Sequence, residues 1–271
     1  MKISFVICCC KERLDNLRQM LQLLAQREDL QQHEVCIVCQ NEIPQTVEGH
    51  TPFNLKLPSY NKGVMCNFGV RQARNEIVAL LDCDRILPAG YFQRVAAELQ
   101  PGDFVSTYKM YRVPVGYTNE ELQRVNPQKL RKDFKHKNNK LFGKNLFSGH
   151  TVFFKQEYLE LGGMDEAYNG YGFVDNDMTN IVMPHKRIVW REDVELHLFH
   201  EPYVNFQDAY CRKALKLFTC YNALRYHRKW QIPVTEELQQ RILVVREGFY
   251  RLPRVLQEQQ IFAEFSTPKF I

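Results

Sequence analysis

The sequence contains no apolar run of about twenty residues, the length a helix needs to cross a bilayer. After Met1 and Lys2, the run Ile3-Ser4-Phe5-Val6-Ile7 is too short for a signal-peptide core, and no small-residue cleavage site follows it. These absences predict a soluble, cytoplasmic protein. A strong charge imbalance is also missing. A net charge of +5 over 271 residues argues for an anionic ligand but against a dedicated nucleic-acid binder. Nor is there a disulfide framework. The nine cysteines are an odd number, and several sit in strand-like runs (Cys8-Cys9-Cys10, Cys36, Cys39), which suits buried, reduced thiols. No internal repeat is visible. With 45% hydrophobic and 25% charged residues, the chain is not disordered as a whole and can bury a full core as one large domain or a domain with an appendage.

What is present alternates between two hydrophobic periods. Ile3 to Cys9 reads as a buried strand, and Leu14, Leu17, Leu21 and Leu24 recur at helical spacing. Glu34 to Cys39 is a second strand, Val64 to Ala73 a helix, and Ile77 to Leu81 a third strand running into Asp82. Strand, helix, strand, helix, strand is the pattern of a parallel α/β sheet. A turn at Pro88-Ala89-Gly90 precedes a helix from Tyr91 to Leu99, and an apolar stretch returns at Thr151 to Phe154. The basic segment from Arg124 to Lys144 reads as a surface loop or a closing lid, with recognition of an acidic acceptor a third use of its charge. Gln207 to Trp230 and Glu236 to Arg251 read as two helices. They serve either as an appendage or homodimer partner, or as a peripheral membrane contact.

Three short segments carry chemistry. Asp82-Cys83-Asp84 places two carboxylates where a buried strand ends, the edge at which open α/β sheets bind ligands; the bland alternative is a solvated turn. Gly162-Gly163-Met164-Asp165 and Gly170-Tyr171-Gly172-Phe173-Val174-Asp175-Asn176-Asp177 combine glycines that let backbone approach a ligand with acids able to serve as a general base. The same residues could simply form a glycine turn capping a helix that starts near Asp175. His197 and His200, three apart, can chelate one cation from a turn or helix, with Asp82 and Asp84 supplying oxygen. Cys36-x-x-Cys39, with His33, is a rival zinc or redox pair, although no second Cys/His pair follows at finger spacing.

In this order the segments resemble the beta-1,4-galactosyltransferase family and its chondroitin-polymerase relatives, over about Ile3 to Pro202. Cys9-Cys10-Lys11-Glu12-Arg13 stands where the family has its first uridine-contacting loop, and Arg13 matches its last residue. Tyr60-Asn61-Lys62-Gly63-Val64-Met65-Cys66-Asn67-Phe68-Gly69 is similar to F-N-R-A-K-L-L-N-V-G, with Lys62 at the basic position that faces the donor diphosphate and Asn67 and Gly69 identical. Asp82-Cys83-Asp84 matches the D-V-D metal motif, and Gly170 to Asp177 is similar to W-G-W-G-G-E-D-D-D. His197 and His200 stand at the spacing of the family's remaining Met and His ligands.

The resemblance implies a GT-A (nucleotide-diphospho-sugar transferase) fold, a mixed sheet flanked by helices. Residues 1–204 would form the catalytic domain, with 1–100 the donor half and 101–204 the acceptor half, and 205–271 a helical C-terminal extension. It implies a metal-dependent, inverting transfer of a hexose or N-acetylhexosamine from a UDP-sugar to a hydroxyl of a saccharide, polysaccharide or glycolipid. Asp175 would be the catalytic base. Arg13, Lys62, Asp82, Asp84 and Tyr171 would bind the donor, and Tyr171, Gly172, Asp175 and Asp177 the acceptor. Asp84, His197 and His200 would hold Mn2+ or another divalent cation such as Mg2+. Val174 stands where the family has an acceptor-bonding glutamate, which implies a different acceptor. That loss and the altered uridine loop also support an alternative: a non-catalytic carbohydrate- or nucleotide-binding module on a degenerate scaffold.

Overall fold

A computed structural model describes residues 1–28, 30–40, 46–57, 60–132, 146–170, 172–200 and 209–250. Most of the basic segment, Tyr171, and the residues after position 250 lie outside the described residues. The chain divides into two compact units, one of Met1–Lys56, Lys62–Glu166 and Val174–His200, the other of Leu57–Asn61, Ala167–Phe173 and Glu201–Ile271.

The first unit starts with β1 (Ile3–Cys10), buried along its whole length, as a strand covered on both faces must be. Helix α1 (Leu14–Arg27) turns Leu17, Met20, Leu21 and Leu24 to the core at the spacing of one helical face. Fully burying such side chains stabilises by about 1.5–3 kcal/mol each. Then come β2 (Glu34–Gln40), β3 (Phe53–Leu55), α2 (Lys62–Gln72), β4 (Ile77–Asp82), β5 (Arg85–Ile86) and α3 (Tyr91–Glu98). The early strands and helices fall where the hydrophobic pattern predicts. Helix α2 has no clean amphipathic stripe because it is buried on most sides, including at Lys62, Asn67 and Gly69. Gly69 is where the helix meets the sheet: a Cβ there would lie 2.4 Å from Val6 Cγ1.

Next in the chain are β6 (Asp103–Arg112), α4 (Asn119–Arg124), β7 (Arg131–Lys132), β8 (His150–Phe154), α5 (Lys155–Glu160), α6 (Val174–Val182) and β9 (Arg187–His197). Helix α4 begins with a capping box, in which the Thr118 hydroxyl accepts from the Glu121 N–H and the Glu121 carboxylate accepts from the Thr118 N–H. The sheet is mixed and runs β3-β2-β1-β4-β8-β6-β9-β5, with β7 beside β6. Strands β1 to β4 pair in parallel, as the sequence pattern predicts. Strand β8 is antiparallel to both β4 and β6, and β9 is parallel to β6. Two reversals restore direction, so β9 points the same way as β1 and β4. The carboxyl ends of β1, β4 and β9 therefore open on one edge, which brings Arg13, Asp84 and His197 together from sequence positions far apart.

The second unit contains α7 (Ala209–Lys229) and α8 (Glu236–Tyr250). Within it, α7 holds the glycine turn. Asn222 Nδ2 donates to the carbonyls of Asn169 at 2.7 Å and Gly172 at 3.3 Å. Gly170 N–H donates to Tyr60 O at 2.7 Å, and Asn61 Nδ2 to Asn169 Oδ1 at 3.2 Å. Gly170 has a φ of +70°, and a Cβ there would press on Phe218 at 3.1 Å. No helix among the described residues is long and apolar enough to cross a membrane.

Candidate active site

The centre of the site is the Asp84 carboxylate, just past the end of β4. Its Oδ2 lies 3.1 Å from His200 Nε2 and 3.5 Å from His197 Nε2, and the two imidazole nitrogens are 3.0 Å apart. His197 is the last residue of β9 and His200 follows in the segment beyond it, so the pair converges from a strand end and not from a helix. Backbone bonds fix the approach. Arg85 pairs in register with His197, the Leu198 N–H donates to Asp84 O at 2.9 Å, and the Val113 N–H donates to His197 O at 2.8 Å.

This donor set fits a divalent cation. Ligands at right angles around an ion with bonds of about 2.1 Å stand about 3 Å apart, close to all three edges of the triangle. One carboxylate and two imidazoles suit a first-row ion. Among the described residues, Asp84, His197 and His200 are the one group of three His, Cys, Asp or Glu side chains so arranged. Cys36 and Cys39, three apart on β2, point to opposite faces of the sheet. Burial pushes the Cys36 thiol up to about 12. A zinc site needs convergent thiolates, so that pair is structural.

Two arginines flank Asp84. Arg13, buried, places Nη1 3.4 Å from Oδ2, and Arg85, also buried, places Nε 3.0 Å from Oδ1. Burial alone would raise the carboxyl, but Arg85 above all, then His197 and Arg13, hold it far below the ordinary carboxylate range. The neighbouring cations thus favour the ionised form of Asp84.

Lys62 forms a second focus. It sits in the first turn of α2, buried, with Nζ 2.8 Å from Asp82 Oδ1, 3.0 Å from Asp175 Oδ1 and 3.0 Å from Phe147 O. Burial pulls its pKa down, yet Asp175 and Asp82 together push it well above the ordinary lysine value. One ammonium therefore ties the acidic end of β4 to the start of α6. Asp175 occupies the first turn of α6, where the helix dipole also favours a negative charge. Asp177, in the same turn, is fully buried. Gly172 lies in the second unit, pinned by Asn222, and Tyr171 lies outside the described residues.

The identical Asn67 has a structural task. Its Oδ1 accepts from Tyr158 OH at 2.6 Å and Met164 N–H at 2.9 Å, and its Nδ2 donates to Met164 O at 2.8 Å. It clamps the Gly162-Gly163 turn to α2.

Sequence reasoning missed a buried chain behind the site. Glu195 on β9 sits 3.7 Å from Arg85 Nε through Oε1, while Oε2 lies 3.0 Å from both Thr107 Oγ1 and His150 Nδ1. His150 Nε2 in turn meets Tyr91 OH at 2.8 Å. Burial opposes the charge on Glu195, but His150, Arg85 and Thr107 hold its carboxyl below the ordinary value.

A family model described as glycosyl transferase family 2 matches residues 4–162, more than half of the chain. The chain belongs to that family. A second model, described as the N-terminal domain of galactosyltransferase, matches residues 128–201, the stretch that ends with the histidine pair. No curated protein matches the chain by sequence. Among solved structures, it is similar to Staphylococcus aureus TarS in complex with UDP-GlcNAc, with a TM-score of 0.55 and 14% identity over 95% of this chain and 83% of that one. A mannosyltransferase from Pyrobaculum calidifontis in complex with GDP-Man and Mn2+ gives a TM-score of 0.51 and 15% identity over 92% and 70%. A Drosophila beta-1,4-galactosyltransferase 7 variant in complex with manganese, UDP-Gal and xylobiose gives 0.50 and 13% over 77% and 74%. At these identities the likeness is one of fold, and that fold is GT-A. Family and fold together make this glycosyl transferase family 2 member a GT-A glycosyltransferase.

Proposed function

We propose that this family 2 transferase is a metal-dependent, inverting enzyme. It moves a hexose or N-acetylhexosamine from a UDP-sugar to a hydroxyl of a saccharide or glycolipid acceptor. The observation that carries the reading is the triangle of Asp84 Oδ2, His197 Nε2 and His200 Nε2 on the ligand-binding edge of the sheet, with edges of 3.0 to 3.5 Å. The matches to donor-bound structures support it, since those proteins carry UDP-Gal, UDP-GlcNAc or GDP-Man, two of them with manganese.

In this mechanism Asp84, His197 and His200 hold a divalent cation, Mn2+ or Mg2+. Held there, such a cation would supply the charge that neutralises the diphosphate leaving group. Arg13 and Lys62 supply further positive charge for the donor, and Asp82 orients its ribose or sugar. Asp175 accepts the proton of the acceptor hydroxyl while that oxygen bonds to the anomeric carbon. The bond from that carbon to the diphosphate breaks in the same step, and the product has inverted configuration. Lys62 Nζ, 3.0 Å from Asp175 and 2.8 Å from Asp82, tethers the base to the donor motif.

A positioned base is commonly worth about a hundred- to ten-thousand-fold in rate. Asp175→Asn should lose transfer by that factor and still bind donor, and the wild-type product should carry the opposite anomeric configuration by proton NMR. Retention of configuration, or an active Asp175→Asn, refutes the base assignment.

A further inference from the structure

The two oxygens of Asp84 are used differently. Oδ2 faces both imidazoles and Arg13, whereas Oδ1 faces Arg85 Nε at 3.0 Å. Arg85 is almost completely enclosed, with 3% of its side chain exposed. Its backbone is fixed by strand pairing to His197, and its guanidinium is hemmed in by Asp84, Glu195 and the Met110 sulfur. Glu195 is in turn locked by Thr107 and by His150, which leans on Tyr91. No side chain fits opposite Glu195, because a Cβ on Gly149 would come within 2.4 Å of its Oε1. A five-member buried chain therefore ends on one oxygen of the carboxylate that the Proposed function makes a metal ligand.

We propose that Arg85, backed by Glu195, is the positioning residue of the metal centre: it occupies Asp84 Oδ1 and so presents Oδ2 alone to the cation. The arrangement explains why a buried cationic side chain sits beside a site that must attract a cation. Its charge is balanced by two carboxylates, and the guanidinium fixes the orientation of one of them. Outer-shell partners that orient metal ligands are commonly worth ten- to a hundredfold in metal affinity. The contact is an ion pair through Nε alone, at 3.0 Å, and a lysine ammonium at the end of its flexible stem does not reproduce the place of that packed guanidinium.

The inference rests on the metal reading, and two substitutions test it apart from activity. Mn2+ binding is titrated by loss of the free-ion electron paramagnetic resonance signal in wild type, Asp84→Ala, Arg85→Lys and Arg85→Met, with circular dichroism checking the fold. Field effects alone predict unchanged affinity for Arg85→Lys and tighter binding for Arg85→Met, which removes a positive charge near the ion. Positioning predicts the opposite: dissociation constants raised about tenfold or more in both. If Arg85→Met does not fold, the charge-conserving Arg85→Lys decides. Wild-type affinity in Arg85→Lys, or tighter binding in Arg85→Met, overturns the role of Arg85 while leaving the metal site standing. Failure of wild type itself to bind Mn2+, or equal binding by Asp84→Ala, instead overturns the metal reading beneath it.

Discussion

Replacing Lys62 with methionine keeps most of its length and apolar stem and removes only the charge. Its Nζ is shared by Asp82 at 2.8 Å, Asp175 at 3.0 Å and the Phe147 carbonyl at 3.0 Å, so the substitution strands two carboxylates and one carbonyl at once. Breaking a fully buried ion pair costs about 3–5 kcal/mol. The aspartate side chains are 26% and 22% exposed. Water compensates them in part, which brings the expected loss to about 2–3 kcal/mol at pH 7. The pH dependence has a definite sign. Lys62 has a raised pKa in the folded chain, so its contribution is complete below the unfolded value and is lost only as pH rises through the folded one. Urea unfolding of both proteins at pH 7 measures the loss. Equal stability at pH 7 refutes the three-way contact.

Two more outcomes follow from packing. Gly69→Ala replaces a helical glycine, which on propensity alone should stabilise by about 1 kcal/mol. Because the new Cβ would lie 2.4 Å from Val6 Cγ1 in the core, the variant should instead lose about 1–3 kcal/mol in a urea titration. Eight cysteines, Cys8, Cys9, Cys10, Cys36, Cys39, Cys66, Cys83 and Cys220, are buried and free, and burial raises the thiols of Cys10 and Cys36. In the native protein they should resist iodoacetamide at pH 8 and react once urea unfolds the chain; rapid native labelling of Cys10 or Cys36 contradicts their placement.

The parallel half of the sheet was legible because β1, β2 and β4 are short apolar runs separated by helices of clear period. Asp82 and Asp84 were legible as strand-end carboxylates for the same reason. Strands β6 and β9 were not. Strand β9 reads Arg-Ile-Val-Trp-Arg-Glu-Asp-Val-Glu-Leu-His, a polar segment that neither alternates cleanly nor forms an apolar run. Its charges are satisfied by residues distant in sequence: Arg187 by Asp103 at 2.6 Å, Arg191 by Glu98 at 2.5 Å and Glu192 by Lys109 at 2.9 Å. Hydrophobic periodicity carries no trace of such pairings. The position of His197 at a strand end was hidden with them. Lys62 was legible only through the family resemblance, Asp175 also as one of the acids behind the glycines, and their contact with each other was not. Arg85, Glu195, His150 and Tyr91 come from four separate elements, and only the register of β5, β8 and β9 brings them together. The histidine pair was legible from its spacing because that chemistry needs three nearby ligands whatever the backbone does.

The central claim is metal-dependent transfer from a nucleotide sugar, and the most direct measurement is nucleotide diphosphate release from a panel of uridine and guanosine sugar donors. The assay runs with manganese or with chelator, in wild type and Asp84→Ala, while donor binding is titrated in parallel. The account predicts that one UDP-sugar is turned over only with manganese, and that Asp84→Ala abolishes both turnover and manganese-dependent donor binding. Turnover that survives chelation and persists in Asp84→Ala, or the absence of manganese-dependent binding across the whole panel, contradicts it.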